Sequence, residues 1–487
     1  MLRSDPPFLR VGQFRVVSTA IVVPRRRRAV PVRREVSGFV WQRLIPSLSR
    51  YVSSDGDACS RPPGLFGQPE DLEKTPGRCR NAALVQPIHF ATSPRCKESL
   101  LPDQLPKFHS LTGCIDLDRM RRAFKAVKRN RGAAGVDKVS IRAFEANLDD
   151  NLAALMFDLK REGRYRATPL RRVYIPKGEG KLRPLGIPTV RDRVAQEVVR
   201  SLLEPIFEPH FSEFSFGFRP RRNAHQAIEA LRAAHAAGFK WVVDADIQAF
   251  FDNIPHDLIL NRIAERVADG NILRLLREFL SAGVMEGLEL RPSLSGTPQG
   301  GVISPLLANI ILDLLDQRLT QSGFRFVRYA DDFVVLCRSH ALAKQALAFV
   351  DTTLRSKLGL SLSPSKTKVV SFLEGFDFLG FHVSKRRISI RTKSIEKLKA
   401  RVRLLTTRSH NLCQEVFQEL HRVLIGFAHY FAAPFASVAD QFGLLDHWIR
   451  ARIRSMKFKG ISRGYNRRWP NKLIVRLGLV SLSGLLT

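Results

Sequence analysis

The chain has 487 residues, enough to bury more than one core, and 79 Lys and Arg against 45 Asp and Glu give it a formal net charge of +34. That excess points to a polyanionic partner. The basic residues are spread along the chain, and no apolar run approaches the ~18 residues of a membrane span, which favours nucleic acid over a bilayer. The six cysteines (Cys59, Cys79, Cys96, Cys114, Cys337 and Cys413) form no Cys-x-x-Cys pair, which argues against a structural zinc site or a disulfide scaffold and for a reducing compartment.

Residues 1–105 are rich in Pro, Ser and Arg, contain four consecutive arginines at 25–28 and lack sustained periodicity, the composition of a disordered extension. A nucleic-acid-binding arm, an organellar transit peptide and translated sequence upstream of the true start all stay open, although Asp5 and a weak amphipathic pattern speak against the transit peptide. Residues 116–163 are expected to be helical, with Asp116 or Asp118 as cap and a glycine-bearing break at 130–137. Residues 171–188 read as two strands around a Gly-Glu-Gly turn and carry Lys177, Lys181 and Arg183. Such a hairpin can close over a triphosphate, where a guanidinium suits phosphate oxygens, or can simply be a solvated basic face. Residues 191–207 form an amphipathic helix. At 215–222 aromatics interleave with arginines, so Phe216 and Phe218 either stack on nucleic acid or belong to the core. A helix over 224–237 leads into an apolar strand at 241–247 that ends in Asp244 and Asp246.

A Gly-Thr-Pro-Gln-Gly-Gly loop at 296–301 precedes Ser304 and Pro305, expected as N-cap and first residue of a helix that packs on the sheet. Its glycines would let the backbone approach a base pair, and Gln299 could contact nucleotide or template. Residues 328–336 (Arg-Tyr-Ala-Asp-Asp-Phe-Val-Val-Leu) read as two strands joined at Asp331 and Asp332. Adjacent carboxylates repel, and such a pair is stable when solvated or offset by a cation. Pairing this hairpin with the strand at 241–247 would bring Asp246 beside Asp331 and Asp332, with Asp244 an alternative on the same face. Three carboxylates suit hard cations such as Mg²⁺, and two ions ~3.5–4 Å apart can activate a 3′-hydroxyl and stabilise leaving pyrophosphate. A helix is expected over 341–358, a loop carrying Lys366, a strand over 376–383, and helices over 394–408, 414–431 and 438–457. The last stretch is basic from Arg450 to Lys472, with Tyr465 and Trp469 interleaved.

The motifs Phe-Gly-Phe-Arg-Pro at 216–220, Gly-Thr-Pro-Gln-Gly-Gly at 296–301 and Tyr-Ala-Asp-Asp at 329–332, in this order, resemble the group II intron-encoded reverse transcriptase and maturase family over residues 124–479. The resemblance implies an α+β right-hand polymerase: fingers and palm of split βαβ type over 106–388, a helical thumb or maturase region over 389–445 and a basic nucleic-acid-binding tail over 446–487. The family usually begins close to residue 105. It implies an RNA-directed DNA polymerase with two Mg²⁺ ions, Mn²⁺ a possible substitute, held by Asp246, Asp331, Asp332 and the backbone of Ile247. Lys366 would act near the leaving pyrophosphate, Lys177 and Arg183 on the triphosphate, and Phe251 against a ribose 2′-hydroxyl, though Phe250 or Phe251 could equally be core. Implied partners are structured intron RNA, a DNA target or primer and deoxynucleoside triphosphates, in a cytoplasmic ribonucleoprotein or, alternatively, an organelle. Residues 424–431 match the maturase signature loosely, lacking its usual Trp and Asn, so splicing assistance is the more open part. No Cys/His nuclease module follows, so no DNA-cleaving domain is expected. A binding-only maturase, a domesticated relative in phage defence or diversity generation, and a cellular polymerase stand as alternatives.

Overall fold

The computed structural model describes residues 106–486, except 179–180, 288, 292–294, 298–299 and the side chains of 177, 178 and 181. The expectation for residues 1–105 lies outside the described residues. The first helix, Leu117–Arg129, starts where the Asp116 carboxylate accepts the Arg119 N–H, and it buries Met120, Ala123, Phe124 and Val127. The helix Leu148–Lys160 packs beside it. The strands β1 (Leu170–Gly178) and β2 (Lys181–Ile187) form the expected hairpin, with Ile175 opposite Arg183. The helix Val190–Phe207 follows, capped by Thr189. Its buried Asp192 accepts hydrogen bonds from the Tyr165 hydroxyl at 2.7 Å and the Thr189 hydroxyl at 2.8 Å, which satisfies a charge that would otherwise be costly to bury.

The palm begins with β3 (Trp241–Asp246). Two short strands, β4 (Val284–Glu286) and β5 (Glu289–Arg291), extend the hairpin sheet in the order β2-β1-β4-β5. The strands β6 (Arg325–Tyr329), β7 (Asp332–Cys337) and β8 (Lys368–Ser371) complete a second sheet in the order β6-β7-β3-β8, all antiparallel. The helix Ser304–Gln321 lies between β3 and β6 in the chain, and His340–Thr353 lies between β7 and β8. This is the split βαβ arrangement. Val243, Phe326, Phe333 and Val335 join one core, and Val242, Val327, Val334 and Leu336 join another. Both faces are covered, so these strands read as continuous apolar runs rather than alternating ones.

Two local expectations shift. Ile303 is the N-cap of the 304–321 helix, with no side-chain bond, so Ser304 and Pro305 are its first two residues. The stretch expected as one strand at 376–383 is a hairpin of β9 (Phe376–Phe378) and β10 (Phe381–Val383), turned by Leu379 and Gly380 at φ +47° and +87°. β11 (Ile388–Ile390) completes that sheet.

Three helices follow: Thr392–Leu405, Gln414–Phe431 and Ala439–Phe458. The boundary expected at 445/446 falls inside the last of these. Residues beyond it fold back onto it: Asp446 accepts the N–H groups of Leu482 and Ser483 at 2.8 and 3.0 Å, and Ile474, Leu479 and Leu482 are buried.

Within the palm core, burial, followed by the neighbouring Asp316 charge, pushes the Asp313 carboxyl up to about 7. One of its oxygens is buried without a hydrogen-bond partner. Its folded value lies above the ordinary one of 3.8, so the native state holds the extra proton and the group's stabilisation is lost as pH rises from about 4 to about 7. Asp313→Asn should therefore gain urea midpoint relative to wild type as pH is raised from 5 to 8. A difference independent of pH would contradict this.

Candidate active site

The register of β3 against β7 places Asp246 directly opposite Asp332. Asp331 sits in the two-residue turn between β6 and β7, after Ala330 at φ +58°. A left-handed conformation suits the first position of a tight hairpin turn, but for a residue with a Cβ it costs about 1–2 kcal/mol. Gly217 is packed against this turn: a Cβ there would lie 2.2 Å from the Ala330 nitrogen and 2.7 Å from the Tyr329 carbonyl carbon.

The carboxylates load this end of the sheet with negative charge. Burial, followed by the charges of Asp331, Asp246 and Asp244, pushes the Asp332 carboxyl up to about 7. Its side chain nonetheless stays exposed to solvent. Burial also raises the Asp331 carboxyl, an effect opposed by Arg183 and Lys366 and reinforced by Asp246. Lys366 Nζ lies 2.7 Å from Asp246 Oδ2. The loop bearing it is tied in place where the Ser363 N–H donates to the Asp246 carbonyl at 2.7 Å. Asp244 lies one repeat back on the strand, 3.7 Å from Lys368 Nζ, and is engaged there.

Among the described residues, no three His, Cys, Asp or Glu side chains close into a ready-made metal cage. A half-built site of crowded carboxylates, open to the cleft, nevertheless fits a hard divalent cation, which completes its shell with water and substrate phosphate oxygens. Asp246, Asp331 and Asp332 would supply the protein oxygens. The Ile247 side chain is buried at 5% exposure, which leaves only its backbone to contribute.

The remaining expected residues divide. Arg183, exposed on β2, brings its charge to bear on Asp331. Lys177 lies on β1, but its side chain and all of Gln299 are outside the described residues. Phe250 is core at 2% exposure, while Phe251 is half-buried against it. The loop glycines serve protein backbone: a Cβ at Gly296 would meet the Phe251 and Asp252 carbonyls at 2.6 and 2.7 Å, and one at Gly300 the Gly186 carbonyl at 2.2 Å. The Thr297 N–H donates to the Phe251 carbonyl at 2.7 Å, so this loop holds Phe251. In the 215–222 segment Phe216 is buried and Phe218 is half exposed. Arg219 bonds Glu208 and the carbonyls of Ser212 and Ser215 rather than standing free. Sequence reasoning missed Arg391, at the base of the first thumb helix, whose charge acts on Asp332. It also missed Tyr430, whose hydroxyl donates to the Leu379 carbonyl at 2.7 Å. Arg391 lies in no distinctive motif, and Tyr430 lies in the 424–431 stretch, whose pattern does not reveal the partner of its hydroxyl.

A split βαβ palm with three acids at the ends of adjacent strands, a basic hairpin over them and a helical domain beyond defines a right-hand nucleic-acid polymerase. Residues 175–383 match the family model for reverse transcriptase (RNA-dependent DNA polymerase), and residues 395–473 match the group II intron maturase-specific domain. Protein YkfC of Escherichia coli is 35% identical over 292 residues, 52% of this chain and 76% of that protein. The group II intron-encoded protein LtrA of Lactococcus lactis is 39% identical over 42% of this chain and 34% of its own length. An uncharacterized 91 kDa protein in the cob intron of Schizosaccharomyces pombe is 31% identical over 48% of this chain and 36% of that protein. The chain thus matches only about a third of the length of these last two. The chain belongs to the group II intron-encoded reverse transcriptase and maturase family, a class that uses divalent metal ions.

Gly217→Ala should displace the turn that bears Asp331. It should lower stability by about 1–3 kcal/mol in urea titration and slow primer extension at least about tenfold. Wild-type extension by a folded Gly217→Ala protein would contradict the packing described.

Proposed function

We propose that the protein extends a DNA or RNA primer on an RNA template with deoxynucleoside triphosphates and binds structured intron RNA through its thumb. The observation that carries the reading is the β3–β7 register, which sets Asp246 against Asp332 with Asp331 in the adjoining turn. In the reaction the primer 3′-oxygen bonds to the α-phosphorus as the bond to pyrophosphate breaks. Asp246, Asp331, Asp332 and the Ile247 backbone would hold Mg²⁺, with Mn²⁺ as substitute. When bound, the pair of ions supplies activation of the 3′-hydroxyl and neutralises charge on the departing pyrophosphate. Lys366 stands beside Asp246 and offers a proton or a positive charge to the pyrophosphate. Arg183 and Lys177 bind the triphosphate, Gln299 contacts nucleotide or template, and Phe251 excludes a 2′-hydroxyl by its bulk. Asp246 is taken over Asp244 because it stands directly opposite Asp332, whereas Asp244 stands opposite Val334.

The thumb supports the RNA-binding part. Lys393, Lys397, Arg403 and Arg408 are exposed on or just past its first helix, and burial and the neighbouring Arg391 and Lys393 charges lower the Lys397 pKa. A cluster of like charges gains by accepting phosphates. No helix among the described residues is long and apolar enough to cross a membrane, and the matched relatives come from bacteria and yeast. A ribonucleoprotein in a bacterial cytoplasm is the reading taken, with an organelle the alternative.

The test is primer extension on poly(rA)/oligo(dT) with Mg²⁺. Asp331→Ala with Asp332→Ala should abolish extension while RNA binding persists. Absence of extension by wild type, with tight salt-sensitive RNA binding, would overturn the polymerase reading in favour of a binding-only maturase. Phe251→Ala should raise ribonucleotide relative to deoxynucleotide incorporation by about tenfold or more, read by competing the two triphosphates. Lys397→Ala with Arg408→Ala should flatten the log-affinity against log-salt slope for intron RNA by about 1 per lost phosphate contact; an unchanged slope would remove these residues from the interface.

A further inference from the structure

Arg328 precedes the catalytic turn on β6 and is fully buried. Its Nε donates to both carboxylate oxygens of Asp316, at 2.8 and 3.0 Å, and its Nη2 donates to Asp316 Oδ2 at 2.5 Å. Its Nη1 donates to Asn309 Oδ1 at 2.9 Å and to the Ala330 carbonyl at 3.1 Å. Asn309 passes the link on, its Nδ2 donating to the Gly217 carbonyl at 2.9 Å. Asp316 is 0% exposed and Asn309 1%. They lie seven residues apart on the helix Ser304–Gln321, two turns and therefore one face. The Arg328 backbone is equally engaged: its N–H donates to the Phe214 carbonyl at 2.9 Å, and its carbonyl accepts the Phe216 N–H at 2.8 Å.

One planar guanidinium thus joins three segments: the long palm helix, the Phe216–Gly217 loop and the turn bearing Asp331. A buried Arg–Asp pair is a poor source of net stability, because apolar residues of similar volume commonly do as well. A rigid fork of donors does what an apolar residue cannot, which is to fix a carbonyl in direction as well as in distance. The carbonyl it fixes belongs to Ala330, the left-handed residue immediately before the two carboxylates. Strain of that kind persists where the surroundings over-determine it.

We infer that Arg328, Asp316 and Asn309 are positioning residues for nucleotidyl transfer. They clamp the Ala330 and Gly217 carbonyls to one rigid helix and so hold Asp331 and Asp332 at a fixed spacing from Asp246. The inference rests on the polymerase reading, and wild-type extension is the control that separates the two: if wild type does not extend a primer, that reading fails first. The test measures single-nucleotide incorporation under single-turnover conditions on preformed enzyme–primer complexes, with the burst amplitude reporting the active fraction. Mn²⁺ binding without nucleotide is followed by electron paramagnetic resonance.

Asn309→Ala leaves the Arg328–Asp316 pair in place. It should slow incorporation per active site about three- to tenfold and weaken Mn²⁺ binding, with nucleotide half-saturation little changed. Arg328→Lys keeps the charge but loses the planar fork, and should slow incorporation at least about thirtyfold. A merely structural role would lower the burst amplitude and leave the rate per active site and the Mn²⁺ affinity at wild-type values; that result with Asn309→Ala overturns the inference, whether or not Arg328→Lys folds.

Discussion

The alignment of two strands governs the site. Asp246 ends β3 and Asp332 begins β7, and their direct opposition puts like charges where the sheet meets the cleft. Left alone, that juxtaposition would favour slippage or protonation, and it adds to the burial and the Asp331 charge that push Asp332 up to about 7. Slippage is blocked because both faces of the sheet are buried: a one-residue shift would turn Val243 and Val335 into the positions of Val242 and Val334 and disrupt two cores at once. The repulsion is met by cations from three other elements: Arg183 from the basic hairpin, Lys366 from the loop before β8 and Arg391 from the foot of the thumb. The charge problem at the strand ends therefore draws fingers, palm and thumb toward one point.

Glycines and buried polar groups hold that point still. Gly217, Gly296 and Gly300 each allow one backbone to pass against another. Gly217 abuts the turn bearing Asp331, Gly296 abuts the segment bearing Phe251, and Gly300 abuts the hairpin that carries Arg183. A side chain at any of these would push on a backbone atom of a neighbouring segment, an adjustment that packed protein makes poorly.

The large positive charge has two destinations. Some of it is internal: Arg454 bonds the Trp469 carbonyl at 2.9 Å and Asn471 at 2.5 Å, Arg452 bonds the Thr406 carbonyl at 2.8 Å, and Arg450 lies 3.5 Å from Asp446. Tyr465 and Trp469 pack against Phe458, so the last segment completes the thumb with the residues that had suggested a nucleic-acid platform. The remainder, including Lys397, Arg408, Arg467, Arg468 and Lys472, is exposed. A net charge measures both kinds together.

By itself the sequence determined the class of fold, the order of its parts and the acids at its centre. Helix periodicity, the Asp116 cap, the basic hairpin and the apolar strands ending in carboxylates are local patterns, and local patterns survive without knowledge of what packs against them. Tertiary structure alone decided which side of a residue faces what. It buried Phe216 and left Phe218 half exposed, sent Phe250 to the core and left Phe251 at its edge, and broke the apolar run at 376–383 into a hairpin. It also turned the arginine before Tyr-Ala-Asp-Asp inward, where a basic residue in a basic protein would be expected to face solvent. Asp316 and Asn309, more than ten residues away on a helix, make that burial possible, and a pairing across separate elements leaves no periodicity in the chain to read.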